Sequence, residues 1–240
     1  MGGLTLPLGE PVPFVLGAVM TLPCLVLLFL GLPLPHAPAA AASAARRHVL
    51  ALLRSDKALG LVVALQLAYT LSLTSLYEFG PLWMVSNAGL GSRGIAWVTA
   101  SQCAGMTLAS AWSGRVGATA RAHHPLRLAA ELALVCAACL ALLAVLPGWG
   151  GVAVIVFMGV PTALYNAVMP AWMSQRFAEH GQGAVMGLLS TVFCVANVVV
   201  ALVGGWIALA STRWVMGLGG VAGVVSALLM LRLARRESAR

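Results

Sequence analysis

Seven long apolar runs, at 12–34, 58–79, 94–113, 128–146, 151–173, 184–210 and 214–231, alternate with short polar breaks along the chain. Each run is close to the roughly 20 residues that a helix needs to cross a hydrocarbon core about 30 Å thick. The pattern therefore predicts an all-α polytopic membrane protein with seven transmembrane helices. The longest break, 35–57, passes from Pro35 through the Ala-rich stretch 39–45 to Arg46, Arg47 and Arg54. Its second part reads as a short amphipathic helix, apolar at Val49, Leu52 and Leu53 and basic elsewhere, lying at the inner membrane surface. The expected organisation is a lone span within 1–34, a cytoplasmic linker at 35–57, a six-helix bundle at 58–231 and a cytoplasmic tail at 232–240.

Charge adds orientation. Twelve of the fourteen Lys and Arg residues lie in every second polar segment: Arg46, Arg47, Arg54 and Lys57, then Arg115, Arg121 and Arg127, then Arg176, then Arg232, Arg235, Arg236 and Arg240. Only Arg93 and Arg213 fall in the others. Basic loops stay cytoplasmic during insertion, so the N-terminus is expected outside and the C-terminus in the cytoplasm. The net charge of +8 sits in these short loops, where orientation and contact with anionic lipid account for it. No basic patch is large enough to track a phosphate backbone, so nucleic acid is not an expected partner.

Composition points the same way: 61% of the residues are hydrophobic and 8% charged, far from soluble usage. All five cysteines, Cys24, Cys103, Cys136, Cys139 and Cys194, lie inside apolar runs. Cys136 and Cys139 form a lone CxxC among Ala and Leu, with no other ligand type nearby, which reads as packing rather than metal or redox chemistry. No metal or cofactor is implied. The first run lacks a basic leader and a cleavage site, so it does not read as a removable signal peptide. Trp83, Trp149 and Trp214 lie beside the expected outer ends, and Trp112 and Trp172 near the inner ends, as an interfacial belt would place them. Gly219 and Gly223 form a GxxxG that lets two helix backbones approach closely.

Several local motifs resemble the major facilitator superfamily. Phe79-Gly80-Pro81-Leu82-Trp83, followed by Gly89-Leu90-Gly91-Ser92, resembles the end of the first helix of that family's second bundle. Gly114, Arg115, Gly117 and Arg121 resemble its inner-loop signature in part; the signature's Asp is absent, which weakens any charge-relay role. Pro170, Arg176 and 181–187 resemble the approach to the eleventh helix, with Gln182 where Arg is usual. Gly2-Gly3-Leu4 and Pro13-Phe14 resemble the approach to the sixth. Each motif is weak alone; their order along nearly the whole chain carries the resemblance. It implies half of a major-facilitator-type fold: the sixth helix, the linker and the complete second bundle.

The resemblance also implies what the chain does. It predicts a multi-pass protein of a bacterial-type plasma membrane that moves a small molecule by alternating access, in the direction of efflux, about a midplane site between two bundles. The missing partner is then an amino-terminal bundle or a second copy of the chain, with the lipid bilayer around both. In the family the first, second, fourth and fifth helices of a bundle face the cavity. Mapped here, cavity candidates are Gln66, Tyr69, Thr70, Thr74 and Tyr77, a polar stripe at helical spacing, with Gln102, Tyr165, Asn166 and Asn197. Polar groups at membrane depth face protein or water, since lipid offers no hydrogen bond. Helix–helix hydrogen bonding is the alternative reading of the stripe. Pro161 and Pro170 flank Asn166 and permit bends.

Glu78 is expected at the outer end of its helix, within reach of water, and Glu131 four residues after Arg127, at ion-pair spacing. No ionisable residue falls near the middle of a predicted span, so no proton relay is visible. A retinal pigment needs a Lys in the last span, and the only Lys is Lys57, in a loop. An intramembrane hydrolase needs a nucleophile with a base, or metal ligands. His36, His48, His123, His124 and His180 all lie in inner loops, so the chain is not read as an enzyme. A heptahelical receptor-like protein and a helical subunit of a larger complex remain as alternatives.

Overall fold

The computed structural model describes residues 57–122, 124–180 and 182–238, with Val19, Leu22, Pro23 and Val26 in addition. The expected first span and the linker before residue 57 thus lie outside the described residues, apart from those four helical positions. Among the described residues the chain is almost entirely helical and contains no strand. The order is α1 (Lys57–Ala88), α2 (Ser92–Ala122), α3 (Pro125–Val145), α4 (Gly148–Arg176), a 3₁₀ turn at Ala178–His180, α5 (Gln182–Val199), a π-helical segment at Val200–Gly204, α6 (Gly205–Ala210) and α7 (Thr212–Ser238). Among the described residues five stretches are long and apolar enough to cross a membrane: Ala58–Ala88, Pro125–Val145, Gly148–Arg176, Gly183–Ala210 and Thr212–Glu237. The 31-residue α2 is less apolar because Ser, Thr, Gly and Gln interrupt it.

Helix ends follow local chemistry. Gly89 adopts a φ of 65° and closes α1; Gly148, at 63°, opens α4. Side chains other than Gly resist that left-handed region. Pro125 occupies the first turn of α3, where its missing N–H is no loss. Pro81 does not end α1, contrary to the predicted limit at residue 79; the helix runs on to Ala88. Glu78 accordingly sits inside the helix, ten residues or about 15 Å before its end, rather than at a solvated terminus.

The bundle is assembled around α7, which packs mainly against α3 and α1; α2 packs on α4, α4 also on α3, and α5 on α1. Small residues set these distances. A Cβ added at Gly223 would lie 2.8 Å from Ser72 Oγ and 2.9 Å from the Ala137 Cβ; one at Gly219 would lie 2.9 Å from the Ser75 Cβ. The GxxxG is therefore filled within the chain, by α1 and α3. The buried face of α3 repeats Leu126, Ala129, Ala130, Ala133, Cys136, Ala137, Leu140 and Leu143 at helical spacing. Trp83 departs from the expected belt: it is fully buried and donates its indole N–H to the Leu143 carbonyl at 3.0 Å. Trp112, Trp149 and Trp214 are largely exposed, as interfacial residues are. The expected Arg127–Glu131 ion pair does not form, and both side chains are exposed, where such a pair contributes little.

Candidate functional site

The polar stripe of α1 divides by depth into the bundle. Tyr69, Thr70 and Thr74 are buried, Gln66 is half-buried and Tyr77 is exposed. Tyr69 stacks on Tyr165 of α4, with ring centroids 3.5 Å apart and planes 19° from parallel. The Tyr165 hydroxyl donates to Gln66 Oε1 at 3.1 Å, which joins α1 to α4. Thr70 donates to the Gln66 carbonyl at 2.8 Å. On the α3 side, the Cys136 thiol lies 3.7 Å from the Thr162 hydroxyl of α4. Sequence periodicity separated these residues from the lipid but did not distinguish an inward polar seam from a cavity wall.

The other candidates fall into three environments. Gln102 is buried on α2 against Gly159 of α4, where an added Cβ would come 2.6 Å from the Gln102 carbonyl oxygen. Its Nε2 has no hydrogen-bond partner among the described residues, and neither do Thr74 Oγ1 and Ser72 Oγ. Asn197 is half-buried and donates to the Phe193 carbonyl at 2.8 Å, satisfying its own helix. Asn166 is exposed although its neighbour Tyr165 is fully buried. The backbone of the inner-loop motif, Gly114, Arg115 and Arg121, is helical within α2; the side chains of Arg115 and Arg121 lie outside the described residues.

Exposed polar groups on the long helices include two kinds that bear on the site. Ser101, Thr107, Ser190 and Thr191 each donate to the carbonyl four residues earlier, at 2.9, 2.9, 3.1 and 2.9 Å. Such back-bonded hydroxyls tolerate hydrocarbon. Tyr77 and Glu78 of α1 and Asn166 of α4 are exposed with no hydrogen bond to the described part of the chain. These three need a neighbour that is not lipid.

Two polar clusters at the helix ends had only faint signals in the sequence. At one end Ser86 and Asn87 of α1 bond the Thr212 hydroxyl at 3.2 and 3.1 Å, and Arg213 Nε donates to Asn87 Oδ1 at 2.7 Å. At the other, Arg176 Nε donates to Glu237 Oε1 at 3.1 Å while His124 Nε2 lies 3.6 Å from Glu237 Oε2. The first ties α1 to α7; the second ties the ends of α3, α4 and α7. Both join residues more than sixty positions apart, beyond any local pattern. Among the described residues no three His, Cys, Asp or Glu side chains are placed to hold a metal ion.

Comparison with known proteins gives one family. Residues 133–240, from within α3 to the tail, match the family model described as Major Facilitator Superfamily. No curated protein matches the chain.

Proposed function

We propose, from the match of residues 133–240 to the Major Facilitator Superfamily model, that the chain forms one wall of a secondary-active transporter working by alternating access. The family supports membrane transport in general, by an integral multi-pass protein. The finer reading is that this wall is completed by an amino-terminal bundle or a second copy, and that the cargo is a small molecule moved outward. The observation that carries it is the exposure of Tyr77, Glu78 and Asn166 without partners inside the bundle. An ionised carboxylate on a lipid-facing helix costs up to roughly 2.5–3.5 kcal/mol, the value at the centre of a span, and Glu78 lies ten residues inside α1. A water-filled path or a facing bundle removes that cost.

On this reading the cavity surface of α1 and α4 is Tyr77, Glu78, Asn166 and the accessible edge of Gln66. Tyr69, Tyr165, Thr70 and Thr74 form the seam that holds those residues in place. Gln102 supports the α2–α4 contact, Asn197 satisfies its own helix, and Glu78 is the acid placed to meet cargo or a proton.

Cysteine scanning in an assembled transporter tests this division. Tyr77→Cys and Asn166→Cys should react with a membrane-impermeant thiol reagent, and transported compounds should protect them. Thr70→Cys and Thr74→Cys should stay unlabelled. Equal protection at all four positions would show that α1 and α4 turn these faces to lipid or to a closed contact.

A further inference from the structure

The span Gly183–Ala210 is not one regular helix. It is interrupted by the five-residue π segment Val200–Gly204 before α6 resumes at Gly205. A π segment holds one more residue than the α-helix it interrupts, and such segments are often found where a helix has work to do. The residues beyond it are weakly held: α6 has no buried residue, and Trp206 and Leu209 are 79% and 82% exposed. The segment itself is pinned. A Cβ on Gly204 would come 2.6 Å from Cε2 of the Phe79 ring, so glycine is needed for Phe79 to seat against the helix.

Space for a second arrangement already exists. A cavity of about 160 Å³ lies between α1, the π segment, α6 and α7, lined by Leu71, Val203, Ile207, Val215, Leu218 and Ala222. An apolar void of about 150 Å³ accepts a benzene ring, so this one has room for a large side chain. Its lining offers few polar groups, and the hydroxyl of Ser75 is already donated to the Leu71 carbonyl at 2.8 Å. At the far end of α6, Ser211 is extended, with φ −170° and ψ 135°, and Thr212 is held by Ser86 and Asn87. The arm is thus fixed at both ends, with an extended residue to take up slack.

We propose that Val200–Gly204 is a register switch, alternating between the π form and a regular α-helix. Losing the extra residue turns everything beyond it by about 100° relative to α5. The place now held by Ile207 then passes to Trp206, whose indole moves from the surface into the cavity. Ser211 absorbs the displaced residue. Phe79 biases the choice, because its ring packs on the π form where Gly204 lacks a side chain. The switch stands independently of the transport reading, since every contact in it lies within α1 and 199–222.

Fluorine NMR on the full chain in lipid nanodiscs, with 5-fluorotryptophan incorporated, reads it directly. Trp206→Phe assigns the resonance. Two Trp206 resonances are expected, and deletion of Ala201, which removes the extra residue and so fixes the register beyond it as in the π form, should leave only the major one. Gly204→Ala, which crowds Phe79, should shift weight to the minor resonance, and adding Phe79→Ala should reverse the shift. The Gly204→Ala comparison stands even where the deletion variant fails to fold. A single Trp206 resonance in the wild type, unmoved in Gly204→Ala, overturns the switch.

Discussion

At the scale of single residues, contact distance matters more than hydrogen bonding. Gly223→Ala places a methyl 2.8 Å from Ser72 Oγ and 2.9 Å from the Ala137 Cβ. It should destabilise the bundle by about 1–3 kcal/mol, the usual cost of overpacking. Tyr165→Phe removes the 3.1 Å bond to Gln66 and should cost about 0.6 kcal/mol, since such bonds are modest within a bilayer. Gly205→Ala meets open space and should leave stability unchanged. Thermal unfolding of the three variants in one detergent checks the ranking. The sequence showed that Gly219 and Gly223 could bring backbones together, but not whose. Their neighbours, Ser72 and Ser75 on α1 and Ala137 on α3, lie some 80 to 150 positions away.

At the scale of elements, helices were legible as apolar runs and their ends less so. The apolar run ends at 79 and Phe79-Gly80-Pro81-Leu82-Trp83 resembles a helix end, yet α1 continues to Ala88. Inside a bundle, neighbouring helices tolerate the bond lost at Pro81, and the turn is made instead by Gly89 at φ 65°. Gly89→Val should therefore cost about 1–2 kcal/mol of left-handed strain, measurable by the same unfolding assay, although a Cβ there touches nothing within 4 Å. The misplaced boundary also hid Glu78, which read as a solvated end and lies well inside α1. Trp83 misled for the same reason: beside a supposed helix end it looked interfacial, whereas the extended α1 carries it into contact with Leu143. The π segment left no signal, because Val200, Ala201, Leu202 and Val203 suit either helix form.

At the scale of the whole molecule, class followed from composition and run length, and orientation rests on charge alone. With twelve of the fourteen basic residues in every second polar segment, a reporter fused after Arg240 should be cytoplasmic and a tag beside Trp149 accessible from outside. Periplasmic activity of the Arg240 fusion would reverse the orientation. The candidate site was half legible. Periodicity found the α1 stripe, but Tyr69, Thr70 and Thr74 proved buried and, of the five, Tyr77 alone is exposed. A stripe of polar residues looks the same from sequence whether it lines water or a helix contact, because both exclude lipid.

The central claim is that this chain supplies one wall of a two-walled transporter. Its most direct measurement is uptake of a compound panel into liposomes that contain the purified chain, with and without a co-expressed amino-terminal bundle. Saturable uptake only when the second bundle is present is the predicted result, because a midplane site needs both walls. Saturable uptake by a monomeric form of this chain alone, or none with either preparation across the panel, contradicts the account.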